Sequence, residues 1–508
     1  MDALTPDTWK ALLPKDEVKN IERVLDLPER VLQFGTGVLL RALPDYFIDL
    51  ANKAGRFNGR VVVVKSTPQG DLRAFRSQHC LYTHLIRGFA DGKLVEQSII
   101  NASISRVLSA QQEWQEVMKC AENPDMQLIV SNTTEAGLIL EREDIFEGVP
   151  RSFPAKLLAW LFHRFNYFNG DKGKGMVIVP TELIPHNGEV LKQLLLELSA
   201  HHSLPADFQS WLTERNHFCT SLVDRIVPGK LPIHEQETME QKMGYRDALM
   251  IASEPYALWA IKVNNEKAKE ILDFSNLHRG VILAPDISEY VALKLRLLNG
   301  SHTFNCGLAV LAGIRTVREA MEDDLLRSFM KKLLLEELVP SISGGDISLQ
   351  KARDFALNTM ERFQNPFIEH PWINITLQYT SKMKIRNIPT LQKSISLFGI
   401  IPPCMVIGFA AYLLFMKGET DANGNYTGTG SSGAYPIKDD KAQLFSELWE
   451  KHGAGHIVEA VCKTRELWDF DLSSIPGFIQ QVNLKLQQLM EQGVRKTLAH
   501  SMNDTIRP

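Results

Sequence analysis

Residues 29–55, ERVLQFGTGVLLRALPDYFIDLANKAG, lead within three residues into GRVVVVKST at 59–67, and this stretch decides the fold. A short apolar run (Val31, Leu32, Phe34) meets Gly35 and Gly37. A helical pattern through Leu40, Leu43, Phe47 and Leu50 follows, and then a second strand at 61–64. Strand, glycine turn, helix and strand in that order open a doubly wound α/β sheet.

The glycine turn carries a chemical suggestion. Backbone that passes close to a pyrophosphate needs residues without side chains, and the N-terminus of the next helix offers oriented N–H groups. Gly35 and Gly37 meet that need, but the third glycine of the G-x-G-x-x-G fingerprint is replaced by Leu40. A dinucleotide site and an ordinary tight turn both fit. The second strand ends in Lys65, Ser66 and Thr67 rather than in the Asp or Glu that binds adenosine ribose hydroxyls. A cation and two hydroxyls suit a 2′-phosphate, so NAD and NADP both stay open.

Downstream, the alternation continues. MQLIVSNTTEAG reads as a strand ending in a polar loop, PAKLLAWLFHRF as a helix, GMVIVPTELI as a strand and EVLKQLLLELSAHH as a helix; VILAPD (281–286) reads as the last strand. Beyond it long helical patterns take over. The expected organisation is an N-terminal Rossmann-type α/β domain over 1–285 and a mainly α-helical domain over 286–508. The Gly-rich segment 418–436 reads as an exposed loop.

Apolar residues make up 44% and charged residues 23%, with a net charge of -4. That is the balance of a soluble globular protein, without the basic stretches of a nucleic-acid binder. Six scattered cysteines without a CxxC pair suit a reduced, cytoplasmic chain, and the charged N-terminus has no signal-peptide core. Residues 394–416 carry no charge, but Pro402 and Pro403 interrupt them. CMVIGFAAYLLFM is therefore read as a buried core helix rather than a membrane span.

KLRLLNGSHT (294–303) places Lys294, Asn299 and His302 within an arc of roughly 140° on an α-helix. A partly desolvated lysine can trade a proton with a substrate hydroxyl, while Asn and His hold the oxygen and stabilise its charge. Spacing alone favours a helix with one buried polar edge and a satisfied core histidine.

Taken in order, ERVLQFGTGVLLRA, VSNTTEAG, PAKL, VPTELIPHNG, TSLVDRIVPG, KLRLLNGSHT and ERFQNPFIEH make the chain resemble the mannitol dehydrogenase family of long-chain polyol and sugar-acid dehydrogenases. The resemblance covers most of the sequence. It implies that Lys294 is the general acid/base and that Asn299 and His302 polarise the reacting oxygen. It implies that Phe34, Gly35, Thr36, Gly37, Val38 and Leu39 line a dinucleotide, with Asn132, Thr133 and Thr134 near its nicotinamide end. Asn187 and Asp224 fall on motifs that border the substrate cleft. The polyol branch has an Asn where this chain has Leu183 and a Glu where it has Val291, so the sugar-acid branch fits better.

The implied reaction is metal-independent, NADH-linked reduction of the keto-uronate D-tagaturonate to D-altronate, with NADP not excluded. A carboxylate substrate calls for a cation, and Arg362, Lys382, Lys384 and Arg386 are candidates, of which Arg362 and Lys382 are chosen. Reduction of fructuronate, oxidation of a polyol such as mannitol, and a non-catalytic cofactor-binding sensor are the alternatives. The expected partner is a small molecule, without nucleic acid or membrane.

Overall fold

Val61 to Val64 are wholly buried in the second of six parallel strands, and their side chains alternate between two cores. Val61 and Val63 join Val31 on one face, whereas Val62 and Val64 join Leu32 and Phe34 on the other. A strand buried on both faces reads as an unbroken apolar run. Removing each such valine from water stabilises by about 1.5–3 kcal/mol.

The computed structural model describes residues 1–133, 137–422 and 424–503. They divide into two units, the first comprising Met1–Arg87 and Leu94–Ile287, the second Gly88–Lys93 and the chain from Ser288 onward. In the first unit, β1 (Glu29–Phe34), β2 (Arg60–Lys65), β5 (Ile104–Ser109), β6 (Leu128–Ser131), β7 (Val177–Pro180) and β8 (His217–Phe218) form one sheet in the order β5-β2-β1-β6-β7-β8. All five pairings are parallel. Helices Phe153–Tyr167 and Asn187–His201 cover one face with Leu157, Leu161, Leu191 and Leu195, and helix Pro44–Lys53 covers the other with Phe47, Ile48 and Ala51. The chain moves from β1 outward through β2 and β5, then returns to β6 on the opposite side of β1. The strand order therefore reverses between β1 and β6, the place where doubly wound sheets bind ligands beyond their carboxyl ends.

Two small sheets complete this unit: β3 (Tyr82–Ala90) lies between β4 (Lys93–Asn101) and β10 (Ile251–Ser253), and β11 (Leu258–Lys262) lies between β9 (Ser221–Asp224) and β12 (Val281–Ala284). VILAPD thus supplies β12 of a separate sheet and is not the last strand. Three more follow in the second unit: β13 (Glu419–Thr420), β14 (Tyr426–Gly430) and β15 (Gly433–Pro436) form an antiparallel sheet where an exposed loop is expected. The glycines there have a packing reason, because a Cβ on Gly428 would fall 2.4 Å from the Tyr435 ring. That ring stacks on Phe415 at 4.5 Å.

The rest of the second unit is helical around one apolar core. Helix Pro403–Phe415 is buried along almost its whole length, as its sequence predicts. Its first N–H groups, at Cys404 and Met405, donate to the two carboxylate oxygens of Glu337 at 2.7 and 2.9 Å. Buried helix starts need such partners. Among the described residues no helix is long and apolar enough to cross a membrane.

Candidate active site

The cofactor-type site lies in the first unit, where β1, β2 and β6 end. A cavity of about 460 Å³ is lined by Phe34, Gly35, Thr36 and Gly37 after β1, Lys65, Ser66 and Thr67 after β2, Asn132 and Thr133 after β6, and by residues that include Glu141, Arg151, Ser152 and Phe153. Gly35 has φ +130°, and a Cβ there would meet Leu40 Cδ1 at 2.9 Å and the Asn132 carbonyl oxygen at 3.1 Å. Only glycine suits that position. A Cβ on Gly37 would meet nothing within 4 Å, so the turn presents bare backbone to open space. A cavity of this volume at the reversal point, floored by glycine backbone, fits a dinucleotide.

Val38 and Leu39 depart from expectation: they do not line the cavity but sit half-buried against the core beneath the sheet, as the first residues of helix Val38–Ala42. Thr134 lies outside the described residues. Lys65 departs from the 2′-phosphate reading. Its ammonium donates to the carbonyl oxygens of Thr67, Pro68 and Gln69 at 2.7, 3.1 and 3.2 Å, which commits all three protons to folding the loop over it.

Behind Asn132 and Thr133 stands a residue that motif reading missed. The Glu182 carboxylate accepts from Thr133 N–H at 2.9 Å, Thr133 Oγ1 at 3.2 Å and Ser131 Oγ at 3.2 Å, while Asn132 Nδ2 donates to Thr181 Oγ1 at 3.0 Å. Burial raises the Glu182 pKa, and these hydrogen bonds pull it back. Thr181 and Glu182 of VPTELI therefore fix the loop after β6. The available signal was an acidic residue two positions after a buried strand, which seldom survives without partners.

Asn187 starts helix Asn187–His201. It is fully buried, its Nδ2 donates to the carbonyls of Glu182 and Ser221, and its Oδ1 accepts from Ser221 N–H, each at 2.9 Å. That commitment makes it a clamp between two backbone segments. Asp224 ends β9 and is 6% exposed. Leu183, at 61%, is exposed.

Lys294, Asn299 and His302 lie in the second unit on one continuous helical run, but its middle is not α-helical. Lys294–Asn299 forms a π-turn between helices Ser288–Leu293 and Gly300–Leu311. A π-turn closes i→i+5, so Lys294 and Asn299 stand one turn apart on one face. His302, three residues further on, continues that face. The structure thus narrows the arc expected from an ideal α-helix. Val291 is exposed on the helix before it.

The His302 ring is 6% exposed, stacks on Phe363 at 4.4 Å, and meets His370 at 5.3 Å and Trp372 at 5.7 Å edge-on. Burial drives its pKa well below the ordinary value, and His370, Arg362, Arg386 and Lys382 push it the same way. The imidazole is therefore neutral, and its Nε2 has no hydrogen-bond partner among the described residues. Asn387, wholly buried at the end of a second π-turn (Met383–Asn387), likewise has neither amide atom partnered there. Orphaned buried polar groups call for an explanation, and a site for a polar ligand provides one.

Four cations were candidates for a carboxylate. Lys384 pairs with Asp469 at 2.8 Å, and Lys382 Nζ donates to the Ile375 carbonyl at 2.8 Å. Arg362 is 6% exposed near the end of helix Leu349–Phe363 and close enough to His302 to shift its titration. Arg386 donates to Thr303 Oγ1 at 3.3 Å. ERFQNPFIEH and SKMKIRN thus supply most of the surroundings of His302. Among the described residues no three His, Cys, Asp or Glu side chains gather as a metal-ligand group.

A parallel sheet with a glycine-floored cavity, joined in one chain to a helical unit bearing a Lys–Asn–His face, defines the class of two-domain dehydrogenases. Residues 29–273 match the mannitol dehydrogenase Rossmann domain and residues 286–490 the mannitol dehydrogenase C-terminal domain. The chain belongs to the mannitol dehydrogenase family. It is 37% identical to the altronate oxidoreductase of Halalkalibacterium halodurans over 488 residues, 94% of each chain. It is also 37% identical to that of Cronobacter sakazakii, over 93% of this chain and 96% of the other. Among solved structures, Pseudomonas fluorescens mannitol 2-dehydrogenase, in ternary complex with NAD and D-mannitol, shares the fold at 22% identity and TM-score 0.66 over 94% and 95% of the two chains. A D-sorbitol dehydrogenase does so at 20% identity and TM-score 0.77 over 97% and 100%.

Proposed function

We propose that this chain is an NAD-dependent altronate oxidoreductase that reversibly reduces D-tagaturonate to D-altronate in the cytoplasm. The observation that carries the reading is the neutral His302 imidazole, whose Nε2 has no partner among the described residues, beside Lys382, Arg386 and Arg362, a chemistry suited to a substrate with both a carbonyl and a carboxylate. Altronate oxidoreductases at 37% identity along nearly the whole chain support it.

The nicotinamide, when bound, supplies the hydride. Phe34, Gly35, Thr36, Gly37, Asn132 and Thr133 hold the dinucleotide, and Glu182 keeps the Asn132–Thr133 loop in place. NAD rather than NADP fits Lys65, whose protons are already committed to three carbonyls. On the substrate, the ammonium of Lys294 gives its proton to the carbonyl oxygen as the carbon is reduced; in the reverse direction the amine takes the hydroxyl proton. Asn299 and the N–H of neutral His302 hydrogen-bond that oxygen and stabilise its developing charge. Arg362 and Lys382 attract the carboxylate.

Absorbance at the NADH band, followed in parallel with D-tagaturonate, D-fructuronate and D-fructose and with NADH or NADPH, tests the proposal. Fastest decay is expected with tagaturonate and NADH. Faster turnover of fructuronate or of fructose overturns the substrate assignment, and no decay with any of them removes the enzymatic reading.

A further inference from the structure

Cations withdrawn from water normally have an acidic neighbour. Arg386 is an exception: the one hydrogen bond of its guanidinium among the described residues runs from Nη1 to Thr303 Oγ1, and it forms no ion pair there. Burial lowers its pKa, and only the thiol of Cys306 opposes that shift. The neighbouring Lys382 carries a like charge, so for Arg386 the cost of desolvation adds to repulsion between two cations.

The arginine is also held firmly by its main chain. Arg296, inside the first π-turn, donates from Nη1 to the carbonyl oxygens of Ile385 and Arg386 at 2.6 and 2.7 Å. These are carbonyls of the second π-turn, so a side chain of one π-turn fixes the backbone of the other. Thr303 Oγ1, which accepts from Arg386, donates in turn to the Asn299 carbonyl oxygen at 2.8 Å. A chain of hydrogen bonds therefore runs from the guanidinium to the backbone of Asn299. It sets the cation at a fixed offset from the Lys294–Asn299–His302 face.

We infer that Arg386, carried on the second π-turn and registered to Asn299 through Thr303, is the specificity-determining residue that receives the substrate carboxylate. This rests on the sugar-acid reading above and assigns a residue to it. Lys384 is neutralised by Asp469, and Lys382 has one donor tied to Ile375, whereas the Arg386 fork keeps donors in the planar arrangement that a carboxylate matches. The sequence alone favoured Arg362 and Lys382; the hydrogen bonds of Lys382 and Arg386 separate those two, and the link through Thr303 to Asn299 is what singles out Arg386.

The test compares wild type, Arg386→Leu and Arg386→Lys in two readouts. One is the ratio of kcat/KM for D-tagaturonate to that for the uncharged D-tagatose. The other is the dissociation constant of D-altronate, measured by calorimetry in the presence of NAD. Arg386→Leu is expected to cut the acid-to-neutral ratio by about 10- to 100-fold, chiefly through KM, and to weaken altronate binding by a similar factor, as loss of a charge-assisted contact does. NADH binding should change little, and the turnover of tagatose should fall far less than that of tagaturonate. Arg386→Lys, which keeps the charge but loses the fork, should fall between. If the wild type prefers the acid and both variants preserve that preference, Arg386 is excluded while the proposed function stands. If the wild type shows no preference for the acid, the proposed function itself fails. A loss equal for acid and neutral ketose also overturns the inference, because a merely structural arginine would give that result. Should Arg386→Leu not fold, Arg386→Lys decides by the same ratio.

Discussion

Lys294 and His302 divide the proton chemistry by environment. His302 is buried among aromatic rings and cations, which keeps it neutral, so it can give a hydrogen bond but is a poor proton donor. On the proposed function, Lys294, half-buried at the start of the π-turn, is the group that moves the proton. Lys294→Ala should therefore lower turnover by about 10²–10⁴-fold, the usual contribution of a positioned acid or base. NADH affinity, measured by the quenching of protein fluorescence, should be retained because the glycine-floored cavity is in the other unit. Turnover within a few-fold of wild type would show that another group carries the proton.

At the scale of elements, the Lys294–Asn299–His302 face depends on how closely two helices approach. A Cβ on Gly408 in helix Pro403–Phe415 would fall 2.7 Å from Phe304 Cδ1 and 2.9 Å from the Phe304 carbonyl oxygen. Phe304 is two residues beyond His302, so a shift at this crossing moves the face itself. Gly408→Ala is expected to destabilise by about 1–3 kcal/mol, as overpacking does. By contrast, Gly455→Ala, where a Cβ meets nothing within 4 Å, should be neutral or slightly stabilising in urea unfolding. Equal effects of the two would remove the close-approach argument. The helices of this unit and the parallel sheet of the first were legible because their apolar periods are clean, as in GRVVVVKST. The strands over 82–101 were not. Thr83 and His84 are wholly buried polar residues in β3, tolerated because Thr83 N–H meets the Asp247 carboxylate and His84 meets Ser253 Oγ at 2.7 Å, and such residues erase the alternation. Nor was the π-turn legible. One extra residue per turn leaves Leu293, Leu297 and Leu298 buried as in an α-helix, and nothing in KLRLLN distinguishes the two. The Lys–Asn–His face was found from ordered motifs, whereas Glu182 and the Arg386–Thr303–Asn299 chain exist only through tertiary hydrogen bonds.

For the molecule as a whole, stability should depend on pH through a buried carboxyl of the first unit. Asp45 is wholly buried in the first unit, accepts from Gln33 Nε2 at 3.2 Å with one oxygen and has no partner for the other among the described residues. Burial raises its pKa from 3.8 to about 7; the Gln33 hydrogen bond and Arg41 oppose the shift, and Asp49 adds to it. A carboxyl with a raised native pKa binds a proton in the folded state that the unfolded chain has already released. Its stabilising contribution is thus complete below about pH 4 and is lost as pH rises through about 7. The loss is on the order of a few kcal/mol, since a tenfold change in proton affinity between the folded and unfolded chain is worth about 1.4 kcal/mol. The two units have separate apolar cores, so thermal unfolding should show two transitions, and NADH should raise the one that belongs to the first. Asp45→Asn, which carries no charge to bury, should flatten the pH 4–8 dependence of that transition alone and raise its midpoint at pH 8, with the second unchanged. Scanning calorimetry of both chains at pH 5 and pH 8 reads this directly, and a variant whose first transition still falls with pH as steeply as in the wild type would clear Asp45 of the effect.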